Sequence, residues 1–467
     1  MKIQFLGAAR EVTGSKVLIT TDDNKKIMLD CGMYQGKGLE TDSMNRDLGV
    51  DPEEINYLIL SHAHIDHTGL IPYLYKMGFR GSVICTNATR DLCSIMLPDS
   101  GHIQELDIKW FNKKRARQGQ PPVAPLYTVD HAEESLNMFI SVAYNRRFYI
   151  NDAINVKFTN TGHMLGSAVI NLEIKENGQK KRLAYTGDIG RPYNRLLQSP
   201  KPFPQCDYLI TESTYGNRIH EPQNQIEEEL LQVVLHTCVE KKGKLIIPSF
   251  SVGRTQEIVF LLNNFYNEGK LPRIKVYVDS PLSVNATEVF RMNTDTMNAE
   301  VKDVMKYDDD PFGFNTLKYI KKVDESKALN DSEEPCIIIS ASGMAEAGRI
   351  KHHIANNIHK PSTTILIIGY CSPTSLGARL QAPGLREISI FGEVHAVNAE
   401  VKRIEAFSGH ADYKEMMEFL SCQDKELVRN LFLVHGEYDA QQFYRDRLLE
   451  AGYRNIEIPE RGAMFEL

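Results

Sequence analysis

The sequence predicts an α/β protein of two domains, and three observations carry that prediction. The chain has 467 residues, which exceeds the length at which one hydrophobic core usually stops growing. Residues 1–32 hold three short apolar runs separated by turns, which is typical of an antiparallel sheet. From about residue 213, apolar runs of strand length alternate with helical periodicity. This alternation predicts a largely parallel sheet with helices on its faces.

The composition is that of a soluble globular protein, with 42% hydrophobic and 25% charged residues. No apolar run approaches the roughly 18 residues of a membrane span, and Met1–Gly7 is interpreted as a first strand and not as a signal peptide. The eight cysteines are scattered and form no Cys-x-x-Cys pair, which predicts reduced thiols in a cytoplasmic protein. The net charge of −7 excludes a strong general attraction to nucleic acid, so such a substrate would require a local basic cleft or bound metal ions.

In the first part of the chain, short strands are interrupted by one long, mostly helical region. That region covers about residues 89–147 and contains the basic run Lys113–Arg117. We interpret the run as a solvated helix face and not as an RNA-binding patch, because such runs are common on exposed helices. The predicted strands are 3–6, 17–19, 27–29, 57–60, 82–85, 154–158, 168–174, 182–185 and 208–212.

The second part of the chain alternates helices and strands. Residues 321–334 are polar and charged and are predicted to form a surface loop. Phe407 precedes Ser-Gly-His-Ala-Asp, where Asp412 and Glu415 have the spacing of a capping box. The remaining predicted elements are helices at 224–239 and from 254 to about 267 and strands at 245–247, 275–279, 336–339, 364–370 and 431–434.

The densest group of metal-binding side chains follows the predicted strand 57–60. His62, His64, Asp66 and His67 fall within six residues, although the whole chain has only 14 histidines. Imidazole and carboxylate together suit zinc, iron or manganese, and the absence of cysteine argues against a closed structural zinc site. The pattern therefore predicts a metal site and not merely a polar loop.

Other side chains of the same type follow other predicted strands. Because neighbouring strand ends meet at one edge of a sheet, we expect these side chains to approach the histidine cluster. Asp30 is either a turn residue or a group that orients a ligand. His435 also ends a strand, and a place near the site or a structural hydrogen bond fits it equally. The remaining members of this set are His163, Asp188 and Glu212.

Two loops of small residues, 248–254 and 340–349, open predicted helices. Exposed N–H groups at a helix N-terminus favour anions such as phosphate. Structural turns between a strand and a helix have the same composition, so both interpretations stay open. The candidate phosphate contacts in these loops are Ser249, Ser251, Arg254, Ser342, Gly343 and Arg349.

Across nearly its whole length the sequence resembles the metallo-β-lactamase family. The resemblance rests on His62-x-His64-x-Asp66-His67 with His163, Asp188 and Asp30. Glu-Ser-Thr-Tyr-Gly at 212–216 and Phe-Ser-Gly-His-Ala-Asp at 407–412 resemble the β-CASP branch. That branch comprises nucleases, including the pre-mRNA 3′-end-processing endonuclease and its prokaryotic relatives.

The resemblance implies an αββα sandwich that holds two metals and is interrupted by an inserted β-CASP α/β domain. The implied domains are 1–212 and 378–467 for the metallo-β-lactamase part and 213–377 for the β-CASP part, with the active site between them. No further RNA-binding domain is expected on either side of this core.

The resemblance also implies roles for the metal-binding side chains. His62, His64 and His163 would bind one metal, Asp66, His67 and His410 the other, and Asp188 would bridge them. Asp30 would orient a ligand histidine, as such sites require, and Glu212 would position water or assist proton transfer. The catalytic set is therefore Asp66, Asp188, Glu212 and Asp30. The implied ions are two Zn²⁺, with Mn²⁺ or Fe²⁺ as alternatives.

One position departs from the family pattern. The 3′-processing enzymes have a histidine in a Gly-Thr-Leu-x-x-His pattern, and this chain has Arg379 at the matching position, in Thr374–Arg379. Arginine does not give up its proton at ordinary pH, but its planar guanidinium suits a phosphate. Arg379 is therefore a further candidate phosphate contact.

These features predict a zinc-dependent ribonuclease that cleaves single-stranded RNA as an endonuclease, with 5′–3′ exonuclease activity as a further option. Two metals would supply hydroxide near neutral pH and polarise the phosphate. His410 favours RNA, because DNA-repair members of the family typically have valine there. The alternatives are a DNA nuclease of the same family, a small-molecule metallo-hydrolase and a non-catalytic RNA-binding factor. A homodimer formed through exposed strands is a further expectation.

Overall fold

The computed structural model describes residues 1–36, 40–220, 226–369, 371–404 and 408–467. The chain forms two compact units: Met1–Ile219 together with Gly409–Leu467, and His220–Ser408. These bounds differ from the expected divisions at 212/213 and 377/378. The reason for the later second boundary is that strand Glu400–Ile404 pairs within the sheet of the second unit.

The first unit contains two seven-stranded sheets, here called the first and second sheets. The first sheet has the order β22-β1-β2-β3-β4-β5-β6 and the second the order β21-β20-β11-β10-β9-β8-β7. The strands are β1 Lys2–Gly7, β2 Lys16–Thr20, β3 Lys26–Leu29, β4 Ile55–Ile59, β5 Ser82–Thr86, β6 Phe139–Val142, β7 Arg147–Tyr149, β8 Ile154–Asn160, β9 Ala168–Glu176, β10 Gln179–Tyr185, β11 Tyr208–Glu212, β20 Asn430–Val434, β21 Ile456–Glu457 and β22 Met464–Glu466.

The helices of this unit lie on the outer faces of the two sheets. They are α1 Glu40–Arg46, α2 Ile65–Thr68, α3 Ile71–Lys76, α4 Asn87–Arg117, α5 Val129–Ser135, α13 Tyr413–Leu420 and α14 Tyr438–Glu450, with 3₁₀ turns at Pro52–Glu54, Leu136–Met138 and Lys425–Leu427. As predicted, Asp412 caps α13 and forms a capping box with Glu415.

The main core of the first unit lies between its two sheets. Ile3 and Phe5 from β1 are fully buried and belong to one apolar cluster with Val156, Phe158 and Ile170 from the second sheet. Alternate side chains of a strand point to opposite faces, so apolar side chains on the outer face of each sheet must be buried by helices. A second cluster packs α13 and α14 against the second sheet, and α4 contacts β5 and β6 of the first. This layering confirms the predicted αββα sandwich.

The second unit is built on a six-stranded sheet of order β14-β13-β15-β12-β16-β19, in which every neighbouring pair is parallel. A separate hairpin pairs β17 with β18. The strands are β12 Lys244–Pro248, β13 Lys275–Asp279, β14 Leu317–Ile320, β15 Cys336–Ser340, β16 Thr364–Ile368, β17 Glu387–Ile390, β18 Glu393–Ala396 and β19 Glu400–Ile404. The helices are α6 Ile226–Val234, α7 Arg254–Asn267, α8 Pro281–Met292, α9 Ala299–Val304, α10 Val323–Asp331, α11 Arg349–Asn357 and α12 Leu376–Leu380, with a π-helical turn at Leu235–Glu240 and a 3₁₀ turn at Thr294–Thr296.

Two predicted segments differ from the structure. The prediction of a mostly helical region over about 89–147 holds for α4 as far as Arg117 and for α5, but not for residues 118–128 or for strand β6. The helix is interrupted because Gly119 adopts a positive φ and two prolines follow it, which cannot donate the backbone bonds of a helix. Residues 321–334 contain helix α10 where we expected a loop, since Ser326 and Leu329 are buried at helical spacing beneath the charged residues. Parts of three predictions, namely residues 224 and 225, 370 and Phe407, lie outside the described residues. Within the described ranges, no helix combines the length and the apolar character needed to cross a membrane.

Candidate metal centre

The candidate centre of the first unit lies at the carboxyl ends of parallel strands. In the first sheet β3 pairs in parallel with β4, so the segments that carry Asp30 and His62 leave the sheet at the same edge. In the second sheet β11 pairs in parallel with both β10 and β20, which brings Asp188, Glu212 and His435 to one edge. The convergence expected from the strand ends is therefore observed for these residues.

Four side chains form the first set of donor atoms. His62 Nε2 and His163 Nε2 each lie 3.1 Å from His64 Nδ1. Asp188 Oδ2 lies 3.4 Å from both His62 Nε2 and His163 Nε2. One donor atom from each of the four residues falls within 4.8 Å of all the others.

A second set of donor atoms lies beside the first. Asp66, His67 and His435 each offer one atom within 4.8 Å of the other two. His435 Nε2 is 3.4 Å from Asp66 Oδ2, and His67 Nε2 is 3.3 Å from Asp188 Oδ1. Asp188 therefore presents one carboxylate oxygen to each set, which is the arrangement of a bridging ligand.

The donor atoms have the spacing and chemistry of a metal site. Nitrogens bound about 2.0–2.1 Å from one zinc ion in a tetrahedron lie about 3.3–3.4 Å apart, and the first set shows separations of 3.1–3.4 Å. Among the described residues, the buried Oδ1 of Asp188 accepts no hydrogen bond. A buried carboxylate oxygen without a donor is costly, and a cation at this position would remove that cost.

The structure groups His435, and not His410, with Asp66 and His67. We expected His410 in the second set, but its Nε2 is 3.9 Å from Asp188 Oδ2, whereas His435 is the histidine grouped with Asp66 and His67. The physical reason is that His435 directly follows β20, the parallel neighbour of β11. The strand-end pattern contained this signal, and sequence reasoning left His435 unassigned.

The His410 ring is anchored by Glu212. His410 Nδ1 is 3.1 Å from Glu212 Oε2, and Glu212, which is fully buried, also accepts a hydrogen bond from the backbone N–H of Ile189. The other ring nitrogen of His410, Nε2, faces Asp188. The His410 side chain is 22% exposed, so it is the more accessible of the two histidines, since His435 is 3% exposed.

Asp30 holds the first and second sheets together beneath the donor atoms. Its Oδ2 lies 2.7 Å from His67 Nδ1 and accepts hydrogen bonds from Ser61 Oγ at 2.7 Å and Tyr185 OH at 2.9 Å. Its Oδ1 accepts the backbone N–H of Ser61 at 2.7 Å. These contacts fix the His67 ring so that Nε2 points towards Asp188, which is the geometry of an orienting residue.

The protonation of the first set suits metal binding. Burial and the neighbouring His62 lower the pKa of His64 to about 3. Burial also lowers the pKa of His62 and places that of His163 well below its usual value, with a further contribution from nearby histidines. These rings are therefore neutral and keep the lone pair that a metal requires.

The groups of the second set are shifted by their neighbours. Burial alone would lower the pKa of His67, but Asp188 and Asp30 raise it well above its usual value. Burial would raise the pKa of Asp66 and Asp188, but adjacent histidines, His435 among them, hold both below the usual range. Glu212 and Asp188 outweigh burial and raise the pKa of His410 to about 9.

The two loops expected to bind phosphate lie at one edge of the second unit's sheet, after the parallel pair β12 and β15. Two of the expected serines bond within this region: Ser249 Oγ accepts from Thr255 Oγ1 at 3.0 Å, and Ser251 Oγ is 3.4 Å from Ser280 Oγ. Ser342 Oγ accepts the backbone N–H of Ala347 at 3.3 Å. A side chain at Gly343 would meet the Phe250 ring, so the two loops pack against each other.

The arginines of these loops pair with carboxylates inside the second unit. Arg254 Nε donates to Glu257 Oε2 at 3.1 Å, and Arg349 Nη1 donates to the buried Asp279 Oδ1 at 2.6 Å. Arg379 is different: it lies on the short helix α12 and is exposed. Of the three predicted arginine contacts, Arg379 is the most exposed, since the side chains of Arg254 and Arg349 are only 11% and 20% exposed.

Comparison with known sequences gives three family matches. Residues 10–79 match the metallo-β-lactamase superfamily, residues 255–380 the Beta-Casp domain, and residues 394–459 the Zn-dependent metallo-hydrolase RNA specificity domain. The first match contains the histidine cluster and the third contains both His410 and His435.

Several characterised proteins are similar over almost the whole chain. Ribonuclease TTHA0252 of Thermus thermophilus is 32% identical over 440 residues, which cover 94% of this chain and 93% of that protein. The RNase J-like protein of Methanocaldococcus jannaschii is 32% identical over 438 residues, with 93% and 92% covered. Transcription termination factor FttA of the same organism is 32% identical over 446 residues, with 94% of this chain and 67% of that protein covered. The fold, the family matches and these relatives together establish that the chain belongs to the β-CASP branch of the metallo-β-lactamase superfamily, the family that the sequence motifs predicted.

Proposed function

We propose that this protein is a metal-dependent ribonuclease that hydrolyses phosphodiester bonds of single-stranded RNA. The observation that carries the proposal is the buried Asp188 carboxylate, which offers one oxygen to each of two sets of donor atoms. The names of two relatives, a ribonuclease and an RNase J-like protein, support RNA as the substrate. The match of residues 394–459 to an RNA specificity domain supports it as well.

The proposed ligands are His62, His64 and His163 for one ion and Asp66, His67 and His435 for the other, with Asp188 between them. His435 thus takes the role that we first expected for His410. Zinc is the proposed ion, because nitrogen-rich sets with carboxylate suit it, and manganese or iron remains an alternative. Two such ions would supply Lewis-acid polarisation of the phosphodiester and acidify the attacking water.

The protein's own groups supply orientation and protons. Asp30 fixes the His67 ring through its Nδ1, and Glu212 fixes the His410 ring in the same way. We propose that His410 holds a proton at Nε2 and delivers it to the leaving 3′ oxygen, because this nitrogen lies beside Asp188 while Nδ1 is occupied by Glu212. The resulting cleavage leaves a 5′ phosphate on the downstream fragment.

In the second unit, we propose Arg379 as the phosphate contact among the candidates. Arg254 and Arg349 each already pair with a carboxylate, so binding a phosphate would require them to leave a partner. Together with Ser249, Ser251, Ser342 and Gly343, they are better suited to holding their loops in shape. Endonucleolytic cleavage, an additional exonuclease activity, a homodimer and a cytoplasmic location remain part of the proposal.

Three rival functions lead to different measurements. A DNA nuclease of the same family would cleave single-stranded DNA in preference to RNA of the same sequence. A small-molecule hydrolase would cleave thioesters or lactams and neither nucleic acid. A non-catalytic RNA-binding factor would bind RNA with its metals present and leave it intact.

The test is cleavage of a labelled single-stranded RNA by the wild type and by Asp66→Ala, with the metal content of each protein measured. The expected result is cleavage by the wild type alone, with about two metals bound per chain. Asp303→Ala, which removes an exposed carboxylate of the second unit, is the matched control and should cleave like the wild type.

Two outcomes would contradict the proposal. Equal cleavage by wild type and Asp66→Ala would trace the activity to a contaminating nuclease. A fully metal-loaded wild type that cleaves DNA or a small-molecule ester, but not RNA, would establish one of the rivals.

A further inference from the structure

The long helix α4 of the first unit ends in a segment that the proposed chemistry does not use. We call residues Lys109–Arg117 the basic end of α4. It contains Lys109, Lys113, Lys114, Arg115 and Arg117 and has no acidic residue, although the chain as a whole carries a net charge of −7. It also contains Trp110, the only tryptophan in the chain.

One face of this helical segment is covered by the chain that follows it. Asn112 Nδ2 donates to the Val123 carbonyl and its Oδ1 accepts the Val123 N–H, each at 2.9 Å. Arg115 Nε donates to the Pro121 carbonyl at 2.8 Å. Between residues 101 and 117 the less exposed positions of the helix are accordingly 101, 104, 105, 108, 112 and 115, and they lie along one side of it.

The opposite face displays large apolar side chains to solvent. Ile103, Leu106 and Trp110 are 50%, 52% and 73% exposed, and their i, i+3, i+7 spacing puts them in one row. Tryptophan is a costly side chain to leave in water. A stripe of this kind on a soluble protein marks a surface with a partner more often than single exposed residues do.

The charges around Trp110 limit the chemistry of that partner. Among the residues that the structure describes, Lys109, Lys113, Lys114 and Arg117 form no ion pair. Cations in the last turn of a helix complement its dipole, and this accounts for Lys114, Arg115 and Arg117. Lys113 directly precedes this turn, whereas Lys109 lies more than one turn before Lys114. The helix dipole does not account for Lys109 or for the exposed indole ring of Trp110.

The helix begins beside the candidate metal centre. Thr86 Oγ1 and Thr89 Oγ1, at the N-terminus of α4, donate to the Gly166 carbonyl at 2.6 and 3.0 Å, and Gly166 lies in the loop that carries His163. From Asn87 to Lys113 a helix rises up to about 39 Å. At roughly 3.4 Å per nucleotide of a stacked strand, this span corresponds to about eleven nucleotides.

We propose that the basic end of α4 is a docking site for single-stranded RNA, at which a base stacks on Trp110 and the lysines contact backbone phosphates. Stacking on an exposed aromatic ring beside cations is how proteins hold single strands without sequence preference. The choice of RNA as occupant rests on the proposed ribonuclease function. The site would favour substrates long enough to reach from α4 to the metal centre.

Trp110 makes the test direct, because its fluorescence reports on this one position. Wild-type protein is titrated with a single-stranded RNA of about 30 nucleotides, and the quenching of tryptophan fluorescence is followed at several salt concentrations. We expect saturable quenching whose affinity weakens with salt. Trp110→Phe should remove the signal, and Trp110→Ala should weaken binding measured with labelled RNA roughly 5- to 150-fold.

Charge reversal tests the phosphate contacts. The double variant Lys113→Glu, Lys114→Glu should weaken the binding of long RNA and reduce the slope of log affinity against log salt by about 1.4, the value for two lost phosphate contacts. The same reversal at Lys302 and Lys306, exposed on the second unit, is the matched control and should leave the slope near the wild-type value. Cleavage of an RNA of about five nucleotides, too short to span the distance, should be unchanged in both variants.

Four outcomes separate this proposal from its rivals. Cleavage of RNA without any change in Trp110 fluorescence would overturn the docking site and leave the ribonuclease standing. Saturable quenching by RNA that is never cleaved would support docking and overturn the ribonuclease. If the charge reversals at Lys113 and Lys114 and at Lys302 and Lys306 weakened RNA binding equally, the basic end of α4 would not be a specific docking site. A fluorescence change that depends on protein concentration without RNA would show that a second copy of the chain covers this face instead.

Discussion

The candidate metal centre of the first unit and the two loops 248–254 and 340–349 of the second unit both lie at the carboxyl ends of parallel strands and contain many polar residues. They differ in how many of those groups already have partners. In the second unit, Asp279 accepts bonds from Arg349, His353 and Ser326, so the charges are neutralised internally. In the first unit, a buried oxygen of Asp188 accepts none among the described residues. The difference suggests that one edge is built around a ligand, whereas the other is built mainly to hold itself.

The largest expected effect comes from removing the group that the two sets of donor atoms share. Asp188→Ala should lose both metals and lower the rate of RNA cleavage on the order of 10³-fold or more, because the cations stabilise charge in the transition state by several kcal/mol. Metal content and single-turnover cleavage check this result. If the variant kept two metals and cleaved RNA normally, the conclusion that the Asp188 edge is built around a metal ligand would be wrong.

A smaller loss is expected from Asp30, which contacts the donor set without belonging to it. Asp30→Ala should weaken metal binding about 10- to 100-fold, because the His67 ring loses its orienting acceptor. Competition with a chelator measures the affinity. Asp152→Ala, at an exposed position, serves as the control. An unchanged affinity in Asp30→Ala would show that metal binding does not depend on the contact between Asp30 and His67.

A substitution at Asp279, whose charge is already paired within the second unit, should change the stability of the protein and leave its metal binding unchanged. Asp279→Ala removes a fully buried carboxylate and leaves Arg349 and His353 without it, which should destabilise the second unit by about 3 kcal/mol. The urea midpoint of the second unit measures the loss, and the metal content should stay at the wild-type level. A variant that kept its stability but bound RNA poorly would instead make this edge a binding site.

The Asp279 carboxylate should also make the stability of the second unit depend modestly on pH. Burial alone would raise the pKa of Asp279, but hydrogen bonds from His353, Ser326 and Arg349 hold it below its usual value. A lowered pKa in the folded state gives stability that is present above the unfolded value of about 3.9 and is lost as pH falls through the folded value. The Asp279→Asn variant has no carboxylate to protonate at this position. It should therefore lack the loss of stability that the wild type shows below about pH 4. Identical acid profiles for the variant and the wild type would contradict it.

Sequence patterns predicted the fold and most of the centre because both depend on local signals. Apolar runs gave the strands, and the position of His62, His163 and Asp188 after those strands gave their convergence. The same pattern placed His435 at a strand end, but it did not show whether His435 or His410 lies beside Asp66, since that depends on the three-dimensional arrangement of the two segments. The helix α10 was missed because charged residues hide its two buried positions, Ser326 and Leu329.

The roles of the arginines and of the exposed tryptophan also required the structure. Arg349 and its partner Asp279 are 70 residues apart, so no local pattern shows that the arginine is already paired. The basic run at 113–117 has an ordinary composition for a solvated helix. Only the fold shows that its uncovered face carries Trp110 and that the helix starts beside the loop of His163.

The most direct test of the account is the metal content of His435→Ala and His410→Ala, measured side by side with RNA cleavage. We predict that His435→Ala loses one of two metals, because it removes a donor atom. His410→Ala should keep both metals and lose cleavage about 10²- to 10⁴-fold, as expected for a group that transfers a proton. The reverse result, with full metal content in His435→Ala and a missing metal in His410→Ala, would contradict the account of the centre.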